Sequence, residues 1–125
     1  MNALVARGQT DQAIAALQYM RSRDARNPAL PSLLGDLYFE KGWFSDGLAK
    51  YREAIRLRQG IATRSLVQRN AIRALGSDKS YPRARALLVR DIGRRARDPL
   101  RHAARHDNSA AIRKRAAAVL RHSNA

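Results

Sequence analysis

His102 and His106 stand four residues apart, which puts two imidazoles on one helical face, and Asp107 follows directly. A pair at this spacing can share a metal ion, but a zinc site takes three or four ligands and no further residue nearby is committed to it. They are therefore read as solvated surface histidines, and His122 sits in the terminal segment. The chain holds no cysteine, which removes disulfides, cysteine-based zinc sites and thiol nucleophiles together. No serine, histidine and carboxylate set has motif support, and no glycine-rich loop is shaped to cradle a phosphate. Carboxylates are scattered, with Asp11, Asp46 and Asp98 near helix starts, where the helix dipole favours them. The expectation is a chain that is not itself an enzyme and takes neither metal nor cofactor.

Arginine is the other chemistry-bearing residue. The 125 residues carry 25 Lys+Arg against 10 Asp+Glu, a formal charge of +15. Residues 61–125 hold sixteen of the basic groups and four of the acidic ones. Arg83, Arg90, Arg94, Arg95, Arg97, Arg101, Arg105, Arg113 and Lys114 form the candidate basic patch. Such a field favours acidic partners, whether nucleic acid or an acidic protein surface. Enough arginines are present to neutralise several phosphates. Beyond Tyr81 no aromatic residue interleaves them, so base stacking has little support, and helix-turn-helix spacing is absent. Arginine outnumbers lysine 21 to 4, a preference that genomic coding bias also produces.

Amphipathic helices must position these residues. In the stretch Pro28 to Leu57, Leu30, Leu33, Leu34, Leu37 and Tyr38 form one helical stripe, Gly42 interrupts, and Leu48, Tyr51, Ala54 and Ile55 form the next. Neither stripe is satisfied within its own helix, so the pair is a packing unit. Upstream, Thr10 is expected to cap a helix carrying Ala13, Ile14, Leu17 and Met20, and Asn27 to cap the next with Pro28 at its first position. Downstream, Leu66, Val67, Ala71, Ile72 and Leu75 form the next element. Ser80 with Pro82, Asp98 with Pro99, and Asn108 or Ser109 are expected to open three more helices, Gly93 ending the first of them. A 34-residue period relates Gly8 to Gly42, Ala13 to Gly47, Leu17 to Tyr51 and Met20 to Ala54, and reaches Gly76 on a further step.

On these residues the chain resembles the tetratricopeptide repeat family over residues 1–78. Leu34 and Gly35 look like the family's Leu-Gly pair, Tyr38 like its first-helix aromatic, Gly42 like its turn residue, and Tyr51 and Ala54 like its second-helix aromatic and small residue. Pro31 stands where tryptophan is usual, Gly47 where alanine is usual and Gln59 where proline is common. Residues 81–122 resemble a HEAT-like repeat or a solenoid cap. The resemblance implies an all-α, right-handed superhelical stack of antiparallel helix pairs with about seven helices. Its units would be a truncated repeat at 1–27, a complete one at 28–61, a diverged one at 62–92 and capping helices at 93–125. It also implies a peptide-binding groove along the first helices, offered here by Asp36, Phe39, Glu40, Trp43, Gln68, Arg69 and Arg73.

The functional expectation is a protein-interaction or scaffold domain, the C-terminal part of a larger bacterial signalling or regulatory protein, with a nucleic-acid-binding module as the alternative. An acidic protein or peptide partner is expected. Homo-oligomerisation through an uncovered face of the first helix is a further expectation. No apolar run is long enough to span a membrane and no signal-peptide core follows Met1, so no membrane insertion and a cytoplasmic location are expected.

Overall fold

The computed structural model describes the backbone of residues 3–123 and the side chains of residues 8–122. Among the described residues the chain is all-α, without strands. The helices are α1 (Ala3–Arg23), α2 (Ala29–Glu40), α3 (Phe44–Leu57), α4 (Ser65–Arg73), α5 (Tyr81–Ala86), α6 (Arg97–His106) and α7 (Ala110–Ser123). α2 packs closely on α3, and α6 on α7. α1 lies on α2, α4 touches both α2 and α6, and α5 lies against α3. One apolar core runs from Phe39 and α3 through to α7, and a smaller cluster of Ile14, Leu34 and Tyr38 joins α1 to α2.

The α2–α3 hairpin shows how local sequence sets the packing. Asn27 Oδ1 accepts the Ala29 amide at 3.0 Å, and the Leu30 amide donates to the Asn27 carbonyl, so the missing amide hydrogen of Pro31 orphans no acceptor there. At the other end Gly42 has φ +79°. Its amide reaches the Phe39 carbonyl, while the Trp43 amide reaches that of Tyr38 at 2.8 Å. This pair of bonds is a Schellman closure, and its apolar contact is Tyr38 against Trp43, with ring centroids 5.7 Å apart. The helices then cross at two glycines. A Cβ on Gly35 would stand 2.5 Å from the Tyr51 ring, and one on Gly47 would stand 2.5 Å from the Phe39 ring. Phe39 stacks on Phe44 at 5.0 Å and on Tyr51 at 5.5 Å. Its ring occupies the space an alanine at position 47 would need, which gives the departure from the repeat pattern a physical reason.

A polar network pins this crossing to α4. The Tyr51 hydroxyl donates to Asp36 Oδ1 at 2.6 Å and accepts from Asn70 Nδ2 at 2.8 Å. Arg64, just before α4, donates to Asp36 Oδ2 at 2.7 Å and also to the Ser32 hydroxyl. Ser32, Tyr51 and Asn70 are buried, and each has a partner, as a buried polar group requires. Burial pushes the Tyr51 phenol far above its ordinary range. The bond to Asp36 adds to the rise, and the bond from Asn70 opposes it. α1 is held mainly by polar ties: Arg21 grips Glu53 through two bonds, Lys41 pairs with Asp11 at 2.6 Å, and Gln18 donates to the Tyr38 hydroxyl. The hydrogen bond from Arg21 holds the Glu53 carboxyl below its usual range against the opposing pull of burial, and the same bond raises Arg21.

Several helix boundaries differ from the sequence expectation. α1 runs unbroken through Gly8 and Thr10, so Gly8 is not a counterpart of the Gly42 turn and Thr10 is not a cap. The surrounding run of Ala, Leu, Val and Gln favours helix strongly enough to carry one interior glycine, which costs about 1 kcal/mol. Nothing lies within 4 Å of where a Gly8 Cβ would stand. Gly8→Ala is therefore expected to stabilise the chain by about 0.5–1 kcal/mol, read as a higher urea midpoint. Gly76 likewise lacks a positive φ, and Gly93, at φ +65°, supplies the second left-handed turn. α5 continues as a wider π-type turn over Leu87–Ile92 before Gly93 stops it. The Ser80 side chain does not cap α5; its hydroxyl donates back to the Ala74 carbonyl at 2.8 Å. Asp98 is inside the first turn of α6, because a 3-10 turn over Gly93–Ala96 already leads into that helix. Ser109 does open α7, accepting the Ile112 amide at 3.2 Å.

Candidate interaction groove

A groove of ≈580 Å³ lies between α4 and α6. Its floor is apolar: Ile72 from α4, Pro99 and Ala103 from α6 and Ile112 from α7. Arg69 and Arg73, one turn apart, form the α4 wall, and His102 and His106, one turn apart, form the α6 wall. All four are exposed, and the two imidazole centroids are 4.9 Å apart. The helical period accounts for the arrangement: Leu100 and Ala103 turn into the core, which leaves residues 102 and 106 on one flank of α6. The Arg73 guanidinium lies over the Phe44 ring at 5.0 Å, a contact that restricts its rotamers. Asp107 closes one end, its Oδ1 accepting the Ser109 amide at 2.9 Å.

The residues expected to line a groove along the first helices do not stay together. Arg69 and Arg73 are in this groove. Gln68 is half-buried and donates from Nε2 to the Ala62 carbonyl at 2.9 Å. Asp36 is occupied by Tyr51 and Arg64, and so offers little to a partner. Phe39 is 1 % exposed and belongs to the core, because the two crossing glycines bring its ring over α3. Glu40 is exposed at the end of α2, and Trp43 is 47 % exposed with the Lys41 ammonium over its ring at 5.2 Å. His102 and His106 were legible as an i, i+4 pair but not as a groove wall, since the sequence does not say which flank of α6 meets α4.

The basic patch is spread over several faces. Arg97, Arg101 and Arg105 fall at successive i, i+4 positions on α6, a stripe beside that of the histidines in which Arg105 is one turn from His102, and Arg101 pairs with Asp98 at 3.3 Å. Arg94, Arg95 and Arg90 are exposed around the Gly93 turn, and Lys114 is exposed on α7. Arg113 is half-buried and donates to the Asp107 carbonyl at 2.6 Å. Arg83 reaches the Ser45 carbonyl at 3.3 Å, beside a second groove of ≈690 Å³ between α3 and α5. That groove is spanned by Arg52 and Asp91, 3.7 Å apart, so its charges are partly matched from within. Arg115 is structural: it donates to the Leu75 carbonyl, pairs with Asp78 and stacks over Tyr81 at 4.7 Å.

Among the described residues no group of three or more His, Cys, Asp or Glu is arranged to hold a metal ion, and no helix is long and apolar enough to cross a membrane. Comparison with protein-family models, with curated proteins and with solved structures gives no match to this chain.

Proposed function

We propose that this chain is a non-catalytic helical-repeat domain for protein interaction, acting as a scaffold in a cytoplasmic regulatory protein. The contacts of α4 with both α2 and α6, and of α3 with α5, support a tetratricopeptide-like stack. The observation that carries the functional reading is the α4–α6 groove: an apolar floor between a wall of two arginines and a wall of two histidines, open to solvent. Concave sites of this kind, mostly apolar with a few placed polar groups, are where binding concentrates. A second reading, nucleic-acid binding, is favoured by Arg94, Arg95, Arg105 and Lys114, which are exposed and, among the described residues, pair with no carboxylate.

Screening the whole chain against a displayed library of random peptides, beside a salt titration with duplex and single-stranded DNA, separates the two. Enrichment of a peptide motif supports the interaction reading. Binding to DNA alone, with an affinity that falls steeply with salt, overturns it in favour of phosphate recognition. A catalytic turnover lost on replacing His102 and His106 together would overturn the non-catalytic part.

A further inference from the structure

Resting on the interaction reading above, we infer that the α4–α6 groove accepts an acidic peptide. The peptide seats an apolar side chain between the helices and sets its carboxylates against Arg69 and Arg73. Charge complementarity chooses the occupant. Arg21, Arg64 and Arg115 are each matched by a carboxylate, Glu53, Asp36 and Asp78 in turn. Among the described residues Arg69 and Arg73 have no such carboxylate, and both are exposed. Arg73 is already held over Phe44, so less side-chain freedom is lost when it meets a ligand.

The floor decides between classes of acidic partner. Ile72, Ala103 and Ile112 offer apolar surface at the base of a ≈580 Å³ groove, far more room than an inorganic anion fills. A phosphodiester backbone has nothing to set against that surface, whereas a peptide alternating acidic and apolar side chains satisfies floor and wall together. The opposite wall leaves room for such a peptide: His102 and His106 line it, and Asp107 stands at its end with its carbonyl held by Arg113 of α7.

The test is fluorescence anisotropy of the whole chain with a short labelled peptide alternating glutamate and leucine, beside a counterpart with lysine for glutamate and an unlabelled DNA duplex as competitor. The glutamate peptide is expected to bind and the lysine peptide not to. Arg69→Glu, at an exposed position, should leave the melt unchanged and weaken binding about tenfold or more, since one opposed charge replaces one attractive contact. Unchanged peptide affinity in Arg69→Glu and in Arg73→Gln would place the peptide elsewhere, overturning the groove assignment while leaving the interaction reading intact. Equal binding of the lysine peptide, or displacement by the duplex dependent on Arg69, overturns the acidic-peptide assignment. Failure of every peptide, in this assay and in the library screen, overturns both readings.

Discussion

Gly35→Ala should destabilise the chain by about 1–3 kcal/mol, although alanine is the better helix former at an exposed interior position by about 1 kcal/mol. The added methyl would stand 2.5 and 2.6 Å from two carbons of the Tyr51 ring and 3.1 Å from the Gly47 carbonyl oxygen. The ring cannot swing aside cheaply. It is fully buried, stacked on Phe39, and held at its hydroxyl by Asp36 and Asn70. Relief must come from separating α2 and α3, which loosens the Phe39, Leu48 and Tyr51 part of the core. A urea titration followed by circular dichroism should show the midpoint falling on the order of 1 M, opposite in sign to the shift expected for Gly8→Ala. A midpoint for Gly35→Ala at or above that of the parent chain would mean that the crossing has slack, and the close packing at Gly47 would then lose its support as well.

The same crossing marks how much was legible beforehand. Period and spacing located the α2–α3 hairpin, its Gly42 turn and both core aromatics, because each follows from local rules: an apolar stripe, a left-handed stop and an Asn-Pro start. They overextended at Gly8, where a 34-residue match placed a turn but the helix-forming residues on both sides carried α1 straight through. The resemblance puts Asp36 and Phe39 on a groove surface because both lie on the helix that lines a groove in the resembled family. Their positions are set by residues distant in sequence: Arg64 and Tyr51 claim Asp36, and the absence of a side chain on Gly47 admits Phe39. The cationic groove needed tertiary information of the same kind. Arg69 and His102 are 33 positions apart, and no periodicity says that α4 and α6 meet.

That groove depends in turn on the buried network, since Arg64 and Asn70 fix α4 against the α2–α3 hairpin and so set the orientation of the helix that presents Arg69 and Arg73. Tyr51→Phe tests this link with a pH signature that simple loss of packing does not give. Removing the hydroxyl leaves buried Asn70 Nδ2 without its acceptor and takes one donor from Asp36, a loss of about 1–3 kcal/mol near neutral pH. In the folded chain burial and the bond to Asp36 keep the phenol protonated well above its ordinary range, while in the unfolded chain it ionises near about pH 10. Above that pH the folded state binds the extra proton. The parent chain therefore loses stability as pH rises, by up to about 1.4 kcal/mol per unit from this residue. Tyr51→Phe has no phenol there to ionise, so its deficit against the parent should narrow steadily from about pH 10 upward while staying constant below. Paired urea titrations from neutral to strongly alkaline pH measure that gap directly. A gap that does not change across the range would show that Tyr51 is not held protonated by the network, and that α4 is positioned by its apolar contacts instead.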